Sequence, residues 1–314
     1  MFKAEWIAHV RLERRTQQLE RQKRQIEQQK NEAILQQAEI TKQQAVLLHA
    51  LSSALTAPVA HAYEREGRFP TELKTVCVIA CDAVGFSDTC RKLQPERIVS
   101  ELENFFREFD AACFKFRVEP LRAQGDSRIA IAGLSPDGTR GLHQETISAV
   151  LAMLVFKQAL PDHVANMPSA DRRRVLWPAR IGISLGPASC GVIDTGIPGD
   201  SMTSGRLWFD VWGDTVNLAA RLQQAAEPNQ ILVREAVLWE TCGLFDHGAI
   251  RQIQVKCTML SDAAEIIGIR PPYRTEAGLP NEAFWDIYNR PSSHPLRPNP
   301  EGSVPSHIKK FANY

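Results

Sequence analysis

TVCVIACDAVGFSD, residues 75–88, opens as an apolar, β-branched run and ends on a carboxylate and a glycine turn. Residues 75–83 read as one buried strand, and the chain direction changes after Asp82. Working outward, Pro95 opens a helix. Ile98, Leu102, Phe105, Phe109, Ala112 and Phe116 follow its 3.6-residue period and mark a core face. VEPLRAQG and DSRIAIAG, residues 118–133, predict two strands joined by a tight turn near Gly125. A helix is expected across about 143–160. Strands are expected over 180–186 and 191–194, then a helix over TVNLAARLQQAA (215–226) and a strand at QILV (230–233). The order β-α-β-β-α-β predicts an α+β domain: an antiparallel-containing sheet with helices on one face, the ferredoxin-like arrangement.

Two flanking regions differ in composition. From about residue 8 to 57 the chain is rich in Gln, Glu, Lys and Arg, with neither Gly nor Pro before Pro58. Leu12, Leu19, Ile26, Ala33, Ile40 and Leu47 recur every seven residues, the spacing of a coiled-coil stripe. The second apolar position of each heptad is mostly Gln or Arg, so the seam is narrow. This long N-terminal helix either dimerises or packs, solvated, on its own domain. Beyond Arg270 come Pro271, Pro272, Pro280, Pro291, Pro295, Pro298, Pro300 and Pro305. That density predicts an irregular tail, in which Phe284, Trp285, Ile287 and Tyr288 could dock as one short helix. The expected organisation is therefore 1–60 helix or coiled coil, 70–270 globular domain, 271–314 tail.

The 314 residues carry a formal net charge of +1, so no global field points to nucleic acid or to a membrane surface. Arg172-Arg173-Arg174 is the one basic cluster, and it reads as a solvated loop. The seven cysteines are scattered, with no Cys-x-x-Cys pair, and an odd count does not suit a disulfide framework. Reduced thiols in a cytoplasmic protein are expected. Residues 45–62 are the most apolar stretch, but two His, two Ser, a Thr and a Pro interrupt it, and a membrane span is not expected.

Two carboxylates stand out. Asp82 ends a strand, and Asp126 sits in the turn QGDS between two others. Together they would place hard oxygen donors at one sheet edge, fit for Mg²⁺ or Mn²⁺. Either alone would more often be a turn or cap residue. The turn at Gly85 can direct backbone N–H groups toward phosphate oxygens. Asn217 and Arg221, four apart, share a helix face and could aim an amide and a guanidinium at a ribose and a phosphate. They could equally be surface residues.

VIACDAVGFSD, RAQGDSRIAIAGL and FDVWGDTVNLAARL, in this order and spacing, resemble the class III adenylate/guanylate cyclase catalytic domain. ARIGISLGPASCGVI, residues 179–193, resembles the strand pair that lies between its second and third motifs. The resemblance covers about residues 72–268. It implies that Asp82 and Asp126, with Ala83 beside them, hold two divalent metal ions, Mn²⁺ or Mg²⁺. It implies a triphosphate-cradling turn at Val84, Gly85, Phe86 and Ser87. Asn217 and Arg221 match the residues that orient the ribose and stabilise the transition state. Asp210 and Arg122 match the two base-reading positions. Arg206 is a candidate triphosphate contact. Lys256 falls near a late phosphate-binding lysine, although VKCTM lacks the usual glycine-rich context. The family's sites are shared between two chains, which implies a homodimer with composite active sites.

The resemblance leaves the base open. Adenylate cyclases usually carry Lys at the position of Arg122, and guanylate cyclases Glu. Arg has only donors and reaches farther than Lys. Uracil offers carbonyl acceptors to Arg122 and an N3–H to Asp210, and cytosine can also satisfy the pair. The RAQGD segment is similar to that of bacterial pyrimidine cyclases of the antiphage Pycsar type. This implies a product, cyclic UMP ahead of cyclic CMP, read by a separate effector protein. The competing readings are an adenylate cyclase with Lys replaced by Arg, and a cyclase-like module that binds without turnover.

Overall fold

A computed structural model describes residues 21–46, 55–56, 59–60, 71–134, 140–161, 176–195, 207–256 and 259–290. The chain divides into two compact units, Met1–Ala54 and Leu55–Tyr314. In the first, residues 21–46 form one helix, α1, exposed along its whole length. Ile26, Ala33 and Ile40 of the heptad stripe lie on it; Leu12, Leu19 and Leu47 fall outside the described residues. The second unit begins at Leu55, ahead of residue 60, and Leu55, Val59 and Ala60 are buried.

The second unit is built on β1 (Glu72–Ala83), α2 (Phe86–Cys90), α3 (Pro95–Lys115), β2 (Glu119–Gln124), β3 (Ser127–Ala132) and α4 (Leu142–Lys157). It continues with β4 (Ala179–Asp194), β5 (Leu207–Trp212), α5 (Asp214–Ala225), β6 (Ile231–Arg234) and α6 (Glu235–Glu240). Then come β7 (Phe245–His247), β8 (Arg251–Lys256), β9 (Met259–Ile269) and α7 (Glu282–Tyr288). The first four core strands run β2-β3-β1-β4, antiparallel at every step. This is the expected ferredoxin-like βαββαβ core. β6 extends it in parallel to β4, followed by β9 and β7, while β5 and β8 pair with β4 and β9 off the main path.

The two strands expected over 180–186 and 191–194 are one continuous strand, β4. Pro187 does not break it. On the side of β4 away from β1, β6 pairs only with Ile181–Ile183, and β5 begins at Ser189. Among the described residues no strand on that side faces Pro187, so its missing N–H costs no ladder bond there.

The core lies between the sheet and the helices α3 and α4. α3 buries Phe105, Phe109, Ala112 and Cys113 along one stripe. α4 is apolar nearly all round and is buried accordingly, from Ile147 to Met153 without a break. Phe105 and Phe109 meet Phe156 edge-on, at 5.4 and 5.3 Å between centroids. Fully buried Trp177 stands against Phe105 on one side and Phe86 on the other.

Beyond Arg270, the described residues 271–290 are folded onto the domain. Pro271–Tyr273 make one 3₁₀ turn, and Asn281 caps α7 by accepting the Phe284 N–H at 3.1 Å. Phe284 is fully buried against Phe245. Tyr288 accepts from Arg140 at 2.7 Å, and Arg140 in turn pairs with buried Glu145 at 3.2 Å. Residues 271–290 are thus part of the domain, and prolines 291–305 fall outside the described residues.

Candidate active site

Strand register sets the first cluster. Asp82, next to last in β1, stands across from Ser127 of β3 and from Arg180 of β4. Its Oδ1 accepts the Ser127 hydroxyl at 2.9 Å. Its Oδ2 accepts Nη2 of Arg180 at 2.7 Å and the Gln223 amide at 3.4 Å. Asp126 immediately precedes Ser127. The two-residue turn Gly125-Asp126 closes the β2–β3 hairpin, and Gly125 takes φ +64°, which costs glycine nothing. The carboxyl of Asp126 is raised above its ordinary range by partial burial, then by the charge and hydrogen bond of Asp82; Arg180 opposes this.

These two carboxylates fit a hard divalent cation. They are oxygen donors at one sheet edge, and a cation between them would relieve the repulsion that raises Asp126. Among the described residues no group of three or more His, Cys, Asp or Glu is gathered. Further ligands would come from a backbone carbonyl, water or substrate. Ala83, paired with Ala179 at the end of β1, is the backbone nearest in sequence.

The turn after β1 is anchored from below. The Val84 N–H donates to the Pro178 carbonyl at 2.8 Å, so it is not turned outward as expected. Gly85, at φ +78°, starts α2 and its carbonyl accepts both N–H and Oγ1 of Thr89. Trp177 Nε1 donates to the same Thr89 Oγ1 at 3.1 Å, and the Phe86 ring packs on the indole. The phosphate-facing capacity therefore rests on Gly85, Phe86 and Ser87, at the leading end of α2 where N–H groups have no intrahelical acceptor.

α5 sets a second cluster. It packs on β4 through two glycines. A Cβ on Gly182 would lie 2.2 Å from the Ala219 carbonyl oxygen and 2.3 Å from the Gln223 nitrogen; one on Gly186 would lie 2.7 Å from Thr215 Oγ1. Thr215 Oγ1 also donates to the Pro187 carbonyl at 2.7 Å. The buried face holds Thr215, Ala219, Leu222 and Gln223. Asn217 and Arg221 are exposed, and Arg221 donates to Gln224 at 2.8 Å. Arg221 and Gln223 are two positions apart, hence about 200° around the helix. Gln223 touches Asp82, so Arg221 of the same chain faces away from it.

Asp210 lies in β5, buried, opposite Gly191, with Oδ1 accepting the Val211 N–H at 3.0 Å. Arg122 lies in β2, within the register shift between Pro120 and Ala123. β5 lies near β2, so Arg122 and Asp210 sit on strands that approach each other. Lys256 ends β8, paired with Met259. Arg206 falls outside the described residues.

The structure thus gathers Asp82, Asp126 and the turn at Gly85, and puts Asn217 and Arg221 on another surface. Three participants were not singled out from sequence: Ser127, Arg180 and Gln223. Arg180 matters most, since its Nε is buried with no partner among the described residues. An arginine opposite a strand-end aspartate was the available signal, and reading it required the β1–β4 register.

The adenylate and guanylate cyclase catalytic domain matches residues 70–261, more than half of the chain. An adenylate cyclase of Mycobacterium tuberculosis is 26% identical over 197 residues, which are 60% of this chain and 38% of that protein. Guanylyl cyclase C of Cavia porcellus is 28% identical over 180 residues, 56% of this chain and 15% of that one. The chain therefore spans well under half the length of these relatives. Among solved structures, the adenylyl cyclase CyaB from P. aeruginosa superposes with a TM-score of 0.52 at 22% identity, over 65% of this chain and 98% of that chain. That likeness speaks to the fold.

Proposed function

Since the chain belongs to the adenylate and guanylate cyclase catalytic domain family, we propose that it converts a nucleoside triphosphate to its 3′,5′-cyclic monophosphate and pyrophosphate. The observation that carries this reading is the pair Asp82 and Asp126 at one sheet edge, with Arg180 on the first of them. Two divalent ions held there, Mg²⁺ or Mn²⁺, would make the ribose 3′-hydroxyl more acidic and neutralise phosphate oxygens.

The chain's own groups supply the rest. Gly85, Phe86 and Ser87 offer backbone donors to the triphosphate. Arg180, with its unused Nε, is a further donor to it, and an incoming phosphate would compete with Asp82 for this guanidinium. Lys256 and Arg206 remain sequence-based candidates for the same role. Asn217 orients the ribose. Arg221 meets charge that grows at the α-phosphate as it is attacked, which lowers the barrier rather than merely tightening binding.

Arg221 faces away from Asp82 of its own chain. A homodimer, in which each site takes its carboxylates from one protomer and Asn217 and Arg221 from the partner, resolves this. α1, apolar at Ile26, Ala33 and Ile40 and exposed throughout, is the candidate dimerising helix.

For the base, Arg122 with Asp210 favours a pyrimidine, UTP ahead of CTP. The product would be a second messenger for a separate effector, in the manner of bacterial antiphage cyclases. Among the described residues no helix is long and apolar enough to cross a membrane. The adenylate cyclase alternative draws on the mycobacterial relative. Purified protein with Mn²⁺ and ATP, GTP, UTP or CTP, its products identified by mass, decides between them. Cyclic UMP or cyclic CMP as main product is the expected result. Cyclic AMP keeps the cyclase and discards the pyrimidine reading. No product from any of the four leaves an activator-dependent enzyme or a binding module, and full turnover by Asp126→Ala contradicts the two-metal assignment.

A further inference from the structure

Besides its hydrogen bond with Asp126, Asp82 is held by three groups among the described residues, and they differ in kind. Ser127 takes Oδ1 as a neutral hydroxyl. Arg180 takes Oδ2 as a cation, and Gln223 reaches the same Oδ2 as a neutral amide. Only Arg180 has reason to leave when an anionic triphosphate arrives. Gln223 is uncharged, so it is not drawn to phosphate and does not cancel the carboxylate charge that a metal needs.

The Gln223 backbone is also fixed. It sits where α5 comes closest to β4, with its nitrogen 2.3 Å from the place a Cβ on Gly182 would take. The side chain is buried, and the residue lies 141 positions from Asp82 in sequence. At 3.4 Å the contact orients rather than binds strongly. Outer groups that orient a ligating carboxylate typically govern metal affinity by tenfold or more.

We propose that Gln223 is a positioning residue for Asp82 in its own chain, and that α5 thereby serves two sites at once. Through Gln223 it steadies the carboxylate of one site; through Asn217 and Arg221, about 120° and about 160° away around the helix, it supplies the other. The assignment of sites to chains rests on the composite homodimer proposed above. The hold of Gln223 on Asp82 does not.

Two measurements separate these. First, Mn²⁺ binding to the full-length, nucleotide-free protein is followed by electron paramagnetic resonance of the free ion. Gln223→Met keeps length and helix propensity but removes the amide, and should weaken binding about tenfold. Gln224→Met, at the exposed neighbour, should leave it unchanged. Equal Mn²⁺ affinity in Gln223→Met and wild type overturns the positioning role.

Second, Arg221→Ala and Asp82→Ala chains are co-expressed with different tags and the mixed dimer isolated. Each parent should be inactive, and the mixture should regain one site. Adding Gln223→Met to the Arg221→Ala chain, which supplies Asp82, should raise the Mn²⁺ needed for half-maximal rate about tenfold. Adding it to the Asp82→Ala chain should not. A shift from either chain alike would mean general damage to α5 and overturn the proposal. A mixture that regains no activity refutes the composite site and leaves the binding measurement to judge Gln223.

Discussion

Asp126 binds its proton more tightly in the folded chain than in the unfolded one, where 3.8 is the ordinary value. The folded state therefore enjoys its full stability below that pH. It loses part of it as pH rises through the raised value, and the loss persists at neutrality. Asp126→Asn removes the ionisable group, so in chelator-treated buffer it should melt above wild type at pH 7. The gap should close below pH 3.8, and thermal melts across that range check both limbs. Added Mn²⁺ should narrow the gap at pH 7 by stabilising wild type alone. At the other end of the substrate, Arg122→Lys should move nucleotide preference toward ATP by about tenfold or more in kcat/KM, since one well-placed polar contact contributes about 1–3 kcal/mol. An unchanged preference removes the argument from Arg122. Asp82 was legible as a candidate because it closes an apolar run, and Asp126 because it sits in the turn between two predicted strands. Arg180 and Gln223 were not, because they meet Asp82 only through pairings 98 and 141 residues apart.

At the scale of elements, the β4–α5 contact is the narrowest in the site. Gly182→Ala would set a methyl 2.2 Å from the Ala219 carbonyl, so α5 must lift from the sheet. Overpacking of this kind costs about 3 kcal/mol. The midpoint of urea unfolding should fall accordingly. Turnover should fall by more than the loss of folded protein explains, because the displaced helix carries Asn217, Arg221 and Gln223 together. Seven elements were readable from periodicity: β1, α3, β2, β3, α4, α5 and β6 lie close to where pattern puts them, whereas α2, β5, α6, β7, β8 and β9 were not. β4 was read as two strands because Pro187 and three glycines interrupt it. The glycines at 182 and 186 mark a helix pressed against the strand, and the proline sits where no neighbour needs its N–H. Both facts belong to packing, which a single strand does not record.

For the whole molecule, the C-terminal stretch is a structural member. Phe284→Ala should cost about 4 kcal/mol, as large-to-small changes at fully buried aromatics do, and denaturant titration will measure it. Composition suggested an irregular tail there, because proline density describes what lies between short elements and not whether they dock. Thiol chemistry reports on the same core. Burial pushes the Cys77, Cys81 and Cys113 thiols up, and that of Cys190 to about 11. In native protein at pH 8, Cys90 and Cys242 should alkylate first among the described cysteines, and the other four only after denaturation. The central place of β1 carries a further consequence. Its partners on both sides come later in the chain, and Glu72 at its head pairs with Cys190. During synthesis at roughly 5–20 residues per second, on the order of ten seconds separate the emergence of the first from that of the second. Until β3 is made Val76–Cys81, an apolar run, has both edges unsatisfied, and for the rest of that interval the edge that β4 will cover stays open. Nascent chains of this protein should accordingly be clients of ribosome-associated chaperones, for as long as β4 has yet to be made.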